Sequence, residues 1–200
     1  MDTIIFDLGN VLIKWDPRNL YRKIFTSDVA MEHFLKEVCT PDWNEQQDAG
    51  RSLKDATQLL LDKHPDYEIE IKAFYGRWTE MLGGSIEGTV KILRQFCDDE
   101  RYRVYALTNW STETFPIAIK QFDFLQWFEG ILVSGEVKLK KPDPRIYQMM
   151  LDNYQIKAEN AVFIDDSLRN VAGANALGIH GIHFKSPEQL MLDLKALNLL

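Results

Sequence analysis

Residues 4–12 read IIFDLGNVL, in which an apolar run ends at a carboxylate, Asp7, and a glycine, Gly9, follows two positions later. The run over residues 3–6 has the length and composition of a buried strand, and residues 11–13 form a second short apolar run. In an open α/β sheet, ligands bind where strands end. Asp7 is therefore the first candidate functional residue.

The chain after this stretch, from about Pro17 to Leu82, has apolar residues at helical spacing. Four amphipathic helices are predicted, around residues 20–24, 31–38, 53–60 and 74–82. Ser52 is the predicted N-cap of the third helix, and Gly50 just before it can close the preceding one. Gly83 and Gly84 then offer a flexible exit. This zone is predicted to be an all-helical unit.

From Ser85 onward, apolar runs alternate with helical patterns. The runs at 102–107, 131–133, 161–164 and 179–184 are interpreted as strands, and SPEQ at 186–189 predicts the start of the last helix. Such alternation predicts a parallel sheet with helices on both faces. The strand at 3–6 belongs to the same sheet, so the helical zone is an insertion into an α/β domain.

Composition restricts the function classes. The 200 residues are 46% hydrophobic, enough for one sizeable core, and carry a net charge of −7, which is unlike a nucleic-acid-binding protein. Cys39 and Cys97 are far apart and suggest ordinary thiols in a reducing compartment. The N-terminus is a poor signal peptide and no run is long enough to span a membrane, so we expect no membrane partner and a cytoplasmic location.

Polar residues follow the predicted strands. They are Asp7 after the first, Thr108 and Asn109 after the second, the lysines of KLKKPD (138–143) after the third, and Asp165 and Asp166 after the fourth. Each alone is typical of a turn, a helix cap or a solvated loop. Together they meet at one sheet edge, where three carboxylates require a hard divalent cation bound by oxygen.

The set suits phosphoryl transfer. A carboxylate such as Asp7 can attack phosphorus and form an aspartyl-phosphate, while magnesium and a lysine offset the charge. A threonine hydroxyl and nearby backbone N–H groups can hold the equatorial oxygens.

Four segments, FDLGNVL, ALTNW, KKPDPRIY and VFIDDS, resemble in order and spacing the four motifs of the haloacid dehalogenase superfamily. The resemblance covers roughly residues 1–14 and 85–185. It implies a Rossmann-like, doubly wound parallel sheet, here over residues 1–16 and 83–200, with a helical cap over residues 17–82. The form FDxGNV most resembles a subgroup that includes bacterial sugar-1-phosphatases, and it is close to the phosphatase domains of some epoxide hydrolases.

The resemblance also implies residue roles. Asp7 is the expected nucleophile and a ligand of Mg²⁺, and Thr108 and Asn109 contact the phosphate. Lys141 is the expected lysine because it directly precedes the proline, unlike Lys138 and Lys140. Asp166 is favoured as the direct metal ligand. Asp165 is either a second ligand or a residue that contacts the ligands without binding the metal.

Gly9 departs from most phosphatases of this family, which have a second aspartate there as general acid and base. Glycine retains the backbone carbonyl as a metal ligand but removes the acid, which is typically worth about 10²- to 10⁴-fold in rate. Two explanations follow for a phosphatase: the substrate has a less basic leaving group, such as that of a sugar-1-phosphate or an acyl phosphate, or the acid comes from the cap. Asp16, Glu45 and Asp48 are the candidate carboxylates. The leading expectation is a magnesium-dependent phosphatase acting on a small phosphorylated metabolite, such as a sugar phosphate. The alternatives are a non-catalytic phosphometabolite-binding protein and, less favoured, a 2-haloacid dehalogenase.

The cap is expected to select the substrate. The stretch 43–50, WNEQQDAG, suits either a polyol-binding loop or a helix end with Trp43 in the core of the cap. Trp110 either walls the pocket or packs on the cap. Trp15 and Asp16 lie near the crossing between core and cap, where Gly83-Gly84 is the expected return hinge. The protein is expected to be a monomer or a homodimer.

Overall fold

A computed structural model describes all residues of the chain, 1–200. The strands are β1 (Thr3–Phe6), β2 (Ile13–Trp15), β3 (Leu82–Ser85), β4 (Arg103–Thr108), β5 (Gly130–Val133), β6 (Ala161–Asp165) and β7 (His180–His183). The helices are α1 (Arg18–Tyr21), α2 (Asp28–Glu37), α3 (Pro41–Asp48), α4 (Leu53–Lys63), α5 (Glu68–Gly76), α6 (Glu87–Cys97), α7 (Phe115–Gln121), α8 (Ser134–Val137), α9 (Pro144–Tyr154), α10 (Leu168–Ala176) and α11 (Pro187–Ala196). Short 3₁₀ turns cover Pro65–Tyr67, Trp78–Met81, Asp123–Trp127 and Ala158–Asn160.

Five of the strands form one parallel sheet in the order β5-β4-β1-β6-β7. Each strand is short and rich in apolar residues, because both faces of a parallel sheet are covered. Odd-numbered residues of β1, β4 and β6, such as Ile5 and Phe163, pack against α9 and α10. Even-numbered residues, such as Ile4 and Ile164, pack against α6 and α11. The predicted α/β class with a doubly wound parallel sheet is confirmed.

The helical insertion, α1 to α5, lies between β2 and β3, which pair antiparallel. We call it the cap. Its interior is aromatic: the ring centroids of Tyr21 and Phe34 lie 5.0 Å apart, as do those of Trp43 and Phe74. Ser52 caps α4 through the amide of Asp55, as predicted. The domain limits at residues 16/17 and 82/83 remain a prediction. The first lies just after the end of β2 at Trp15, and the second lies just after the start of β3 at Leu82.

In this region one alternative is confirmed and one helix limit was wrong. The stretch 41–48 is helix α3, because Thr40 supplies an N-cap and Pro41 stands at its first position, and Trp43 is buried in the core of the cap, as one of the two interpretations of residues 43–50 had it. The helix predicted over 74–82 ends at Gly76, and a 3₁₀ turn and strand β3 follow. Gly83 and Gly84 therefore lie in a paired strand rather than in a free linker.

Parallel pairing fixes where the polar residues lie. Asp7 directly follows β1, and its amide donates to the carbonyl of Ile164 at 2.8 Å. Thr108 and Asp165 are the last residues of β4 and β6, the two strands on either side of β1. The three residues therefore meet at one edge of the sheet. Every helix of the chain is too short or too polar to cross a bilayer.

Candidate active site

Lys141 is the centre of the polar cluster at the sheet edge. Its ammonium lies 2.8 Å from Oδ1 of Asp7 and 2.7 Å from Oδ2 of Asp165, and it donates to the carbonyl of Leu107 at 2.8 Å. The side chain is only 1% exposed. Burial by itself lowers the pKa of this ammonium, but the charges of Asp7 and Asp165 outweigh burial and raise it. Lys141 is therefore a buried, charged residue.

Asn109 holds the backbone of Lys141. Its Oδ1 accepts from the amide of Lys141 at 2.8 Å, and its Nδ2 donates to the carbonyl of Lys141 at 3.0 Å. Lys140 instead pairs with Glu45 of the cap. The structure thus brings Lys141, and neither Lys138 nor Lys140, to Asp7. Both polar atoms of the Asn109 side chain take part in this clamp, and its phosphate contact remains a prediction.

Asp165 and Asp166 differ although they are adjacent. Asp165 is fully buried, and beside Lys141 it accepts hydrogen bonds from the amide of Ser167 at 2.8 Å and from Nδ2 of Asn170 at 3.1 Å. Asp166 is exposed, and no other residue donates a hydrogen bond to its carboxylate. Partial burial of that carboxyl and the neighbouring charge of Asp165 raise its pKa. Asp166 thus has free oxygens, while those of Asp165 are occupied.

The carboxylates of Asp7, Asp165 and Asp166 each place one oxygen within 4.8 Å of the others. Burial raises the pKa of Asp7 to about 7, against the opposing effect of Lys141, and the other two carboxylates add to the rise. One ammonium therefore does not balance this cluster. Hard divalent cations such as Mg²⁺ prefer oxygen ligands of this kind, so the residues fit a magnesium ion, with Asp7, Asp166 and the carbonyl of Gly9 as candidate ligands.

Thr108 contributes an unused hydroxyl. The residue is 1% exposed, and its Oγ1 has no hydrogen-bond partner. Buried hydroxyls are usually paired. An unpaired one at the end of β4, beside the strand that leads to Asp7, is available to a ligand oxygen.

Two cavities lie between the core and the cap. The larger, the main cavity, has a volume of about 730 Å³ and is lined by Asp7, Asn109, Lys141, Asp166 and Asn170 of the core together with cap residues that include Arg18, Asn44, Glu45 and Asp48. The smaller, the Gly9 cavity, has a volume of about 150 Å³ and is lined by Gly9, Asn10, Trp15, Asn44, Gln47, Asp48, Tyr75, Trp78, Asn109, Trp110, Ser111, Thr114 and Asp166. Most lining side chains in both are polar.

The structure shows which of the expected roles three tryptophans have. Trp43 is buried in the cap, where its Nε1 donates to the carbonyl of Ala56 at 3.1 Å, so it does not line a cavity. Trp110 has both expected roles. It lines the Gly9 cavity, and it packs on the cap, where its ring centroid lies 5.8 Å from that of Trp78. Trp15 lines both cavities.

Sequence reasoning missed four residues of the site. Asn170 bonds Asp165, and a polar residue one turn into the helix after two aspartates was the available signal. Tyr75 and Trp78 line the Gly9 cavity from the cap, where no motif marks them. Ser134 donates to the carbonyl of Asp48 at 2.6 Å, and only tertiary structure reveals this contact between core and cap.

A family model described as haloacid dehalogenase-like hydrolase matches residues 1–178. The sesquiterpene phosphatase of Aspergillus oryzae is 27% identical over 196 residues, which cover 96% of this chain and 94% of that protein. The phosphorylated carbohydrates phosphatase of Thermotoga maritima is 26% identical over 192 residues, covering 92% and 84%. The drimenol cyclase of Aspergillus calidoustus is 25% identical over 96% of this chain, but the chain spans only 35% of that protein.

Among solved structures, a haloacid dehalogenase family enzyme from Bacteroides thetaiotaomicron, in complex with magnesium and inorganic phosphate, superposes with a TM-score of 0.70. It is 23% identical, and the match covers 93% of this chain and 95% of that one. At this identity the likeness establishes the fold, a Rossmann-like core with an inserted helical cap.

Proposed function

Because the chain belongs to the haloacid dehalogenase-like hydrolase family, we propose that it is a magnesium-dependent phosphatase that hydrolyses a small phosphorylated metabolite through an aspartyl-phosphate on Asp7. The observation that carries the proposal is the Asp7 carboxylate, fixed at the sheet edge by Lys141 at 2.8 Å and flanked by two further carboxylates. A carboxylate so placed is positioned as a nucleophile.

Each residue of the cluster has a proposed task. Lys141 holds Oδ1 of Asp7, which leaves Oδ2 free to attack phosphorus, and Asp165 in turn holds Lys141. Thr108 offers its unpaired hydroxyl to a phosphate oxygen. Asp7, Asp166 and the carbonyl of Gly9 would hold Mg²⁺, which when bound would offset the charge of the phosphate. Positioning and charge compensation are the main requirements of phosphoryl transfer.

The lining of the Gly9 cavity favours a polyol, and therefore a sugar phosphate, as the substrate. Asn44 provides an amide, and Trp15, Tyr75 and Trp78 provide aromatic faces. The amide of Gln47 is already bonded within the cap, to the Trp43 carbonyl, the Tyr75 hydroxyl and Arg51. Nδ2 of Asn44 has no partner in the protein, so it can donate to a substrate hydroxyl, whereas the hydrocarbon tail of a sesquiterpenyl phosphate would leave it unpaired. Relatives of both kinds, a carbohydrate phosphatase and a sesquiterpene phosphatase, match this chain.

A panel of phosphate esters tests this function. We expect inorganic phosphate to be released with Mg²⁺ and not with EDTA, and sugar phosphates to be better substrates than farnesyl phosphate. If no inorganic phosphate is released from any ester, including p-nitrophenyl phosphate, the result would favour a binding protein. Chloride release from 2-chloropropionate in EDTA would favour a dehalogenase instead.

Asp166→Asn is expected to weaken magnesium binding by about 10-fold or more, because it removes the carboxylate whose oxygens are free. Binding of Mg²⁺ to the folded protein raises its Tm, so a titration of Tm against MgCl₂ reads out affinity without turnover. Asp66→Asn, on an exposed turn of the cap, is the matched control and should titrate as the wild type does. An unchanged midpoint in Asp166→Asn would remove Asp166 from the metal site.

A further inference from the structure

Because residue 9 is glycine, no side chain two residues after Asp7 can donate a proton to the leaving group. A Cβ added to Gly9 would meet no atom within 4 Å, and the residue faces the Gly9 cavity. An alkoxide that departs from phosphorus is strongly basic, so a nearby acid accelerates its departure. For an alkyl ester the donor must therefore come from another residue that lines this space.

Among the three carboxylates considered from sequence, only that of Asp48 has no hydrogen-bond or ion-pair partner. Both oxygens of Glu45 are paired, one with Lys140 and one with Arg169, each at 2.5 Å. Asp16 accepts from the amide of Arg18 at 2.9 Å and lines neither cavity. The carboxylate of Asp48 has no ion pair and no hydrogen bond, and it lines both cavities.

The position of Asp48 is fixed by the core. It is the last residue of α3, and its carbonyl accepts from Oγ of Ser134, which directly follows β5. The cavity it shares with Gly9 also contains Asp166. A carboxyl group of the cap is thus held in the cavity beside the sheet edge where Asp7 lies.

The surroundings of Asp48 raise the pKa of its carboxyl group, so that a large fraction is protonated near neutral pH. Burial raises its pKa to about 7, and the charges of Glu45 and Asp7 add to the rise while Lys140 and Lys141 oppose it. The negative end of the α3 dipole also disfavours a charged carboxylate at a helix C-terminus. The ionisable groups that surround Asp48 are Glu45 of its own helix, Tyr75 of α5, Asp7, Lys140, Lys141 and Asp166. None of them makes an ion pair with it.

We propose that Asp48 is the general acid and base of this enzyme, in place of the absent second aspartate. The proposal rests on the phosphatase function proposed above. As Asp7 attacks phosphorus, the bond from phosphorus to the leaving oxygen breaks, its electron pair remains on that oxygen, and the Asp48 carboxyl supplies the proton that makes it an alcohol. The Asp48 carboxylate then takes a proton from water as the water oxygen attacks the aspartyl-phosphate. The bond from phosphorus to Asp7 breaks, which releases phosphate and regenerates the Asp7 carboxylate and the Asp48 carboxyl group.

The test compares esters whose leaving groups differ in basicity. Asp48→Asn is expected to lower kcat/KM about 10²- to 10⁴-fold on the alkyl esters glucose 6-phosphate and glycerol 3-phosphate. On p-nitrophenyl phosphate, whose phenolate needs no proton, we expect a loss of less than about 10-fold. Asp42→Asn, an exposed residue on the same helix, is the control and should leave both values unchanged.

The pH profile is a second readout. Because the acid must be protonated, we expect wild-type kcat/KM on alkyl esters to have an alkaline limb that falls as the pH rises above about 7, and Asp48→Asn should lack this limb. Ionisation of the nucleophile Asp7 affects the acidic limb, and it does so in both proteins. The pKa is raised in the folded state, so the charged form destabilises the fold at pH 8. Asp48→Asn should therefore not lower Tm at that pH, which separates a catalytic loss from misfolding.

Rescue completes the test. Gly9→Asp in the Asp48→Asn background should restore at least 10-fold of the lost alkyl phosphatase activity, since the space at Gly9 is open. Equal losses on alkyl and aryl esters, an unchanged pH profile, or a wild type that hydrolyses only aryl esters would overturn the role of Asp48. Failure of the proposed function differs from all of these, because no ester of either class would then be hydrolysed.

Discussion

Asp7→Asn is expected to reduce phosphate release by about 10⁴-fold or more, on alkyl and aryl esters alike. The amide has nearly the shape of the carboxylate but cannot attack phosphorus. Phosphate release is the first measurement. Intact-protein mass spectrometry of quenched turnover mixtures is the second, since the wild type should carry a phosphoryl group and the variant should not.

The variant should remain folded. Burial raises the pKa of Asp7 to about 7, so the ionised carboxylate is the costly form above that pH. Lys141 also retains its contact with Asp165. We expect a Tm at pH 8 close to that of the wild type, with Asp66→Asn as the control for both turnover and stability. A folded Asp7→Asn protein that still released phosphate with Mg²⁺ would exclude Asp7 as the nucleophile.

Lys141→Met is expected to have the largest effect on stability. The ammonium is 1% exposed and is the only cation within 4.0 Å of the carboxylates of Asp7 and Asp165. Its removal leaves buried carboxylates without a counter-charge, which typically costs about 3–5 kcal/mol. For a domain of this size that corresponds to a fall in Tm of roughly 6–20 °C. Turnover should be lost as well.

Lys140→Met is the matched control, because this neighbouring lysine pairs with Glu45 at a site where both side chains are about one quarter exposed. Its loss should cost less than about 1 kcal/mol. Added Mg²⁺ should recover part of the Tm of Lys141→Met, since a divalent cation offsets the same carboxylates. Equal unfolding free energies for the two variants would show that Lys141 does not compensate the buried charge.

Local patterns predicted the strands of the core well. The run at 102–107 is β4 with a shift of one residue, and the polar residues at the ends of four strands or just after them meet at the sheet edge. A parallel strand is buried on both faces, so its sequence is a continuous apolar run that is visible without a structure. Ser186 likewise marks the start of α11, where it accepts from the amide of Gln189.

The cap was predicted less well for a physical reason. Helix α3 has a weak apolar pattern because only Trp43 and Gln47 are buried, and its polar face lines the cavities. Residues that surround a polar cavity do not follow the apolar periodicity on which helix prediction depends. For residues 77–82 the apolar pattern predicted a helix that is not there, since apolar residues at helical spacing continue past Gly76 into a 3₁₀ turn and a strand.

The sequence by itself determined the α/β class, the helical insertion and the set of polar residues at the strand ends, because all of these depend on short-range patterns and on parallel pairing. It also showed that Gly9 carries no acid. Only the tertiary structure decided which cap carboxylate faces the cavity beside Gly9. Glu45 and Asp48 lie one helical turn apart on α3, yet Lys140 and Arg169 pair with the first and leave the second free. Those partners come from distant parts of the chain, and no local pattern records them.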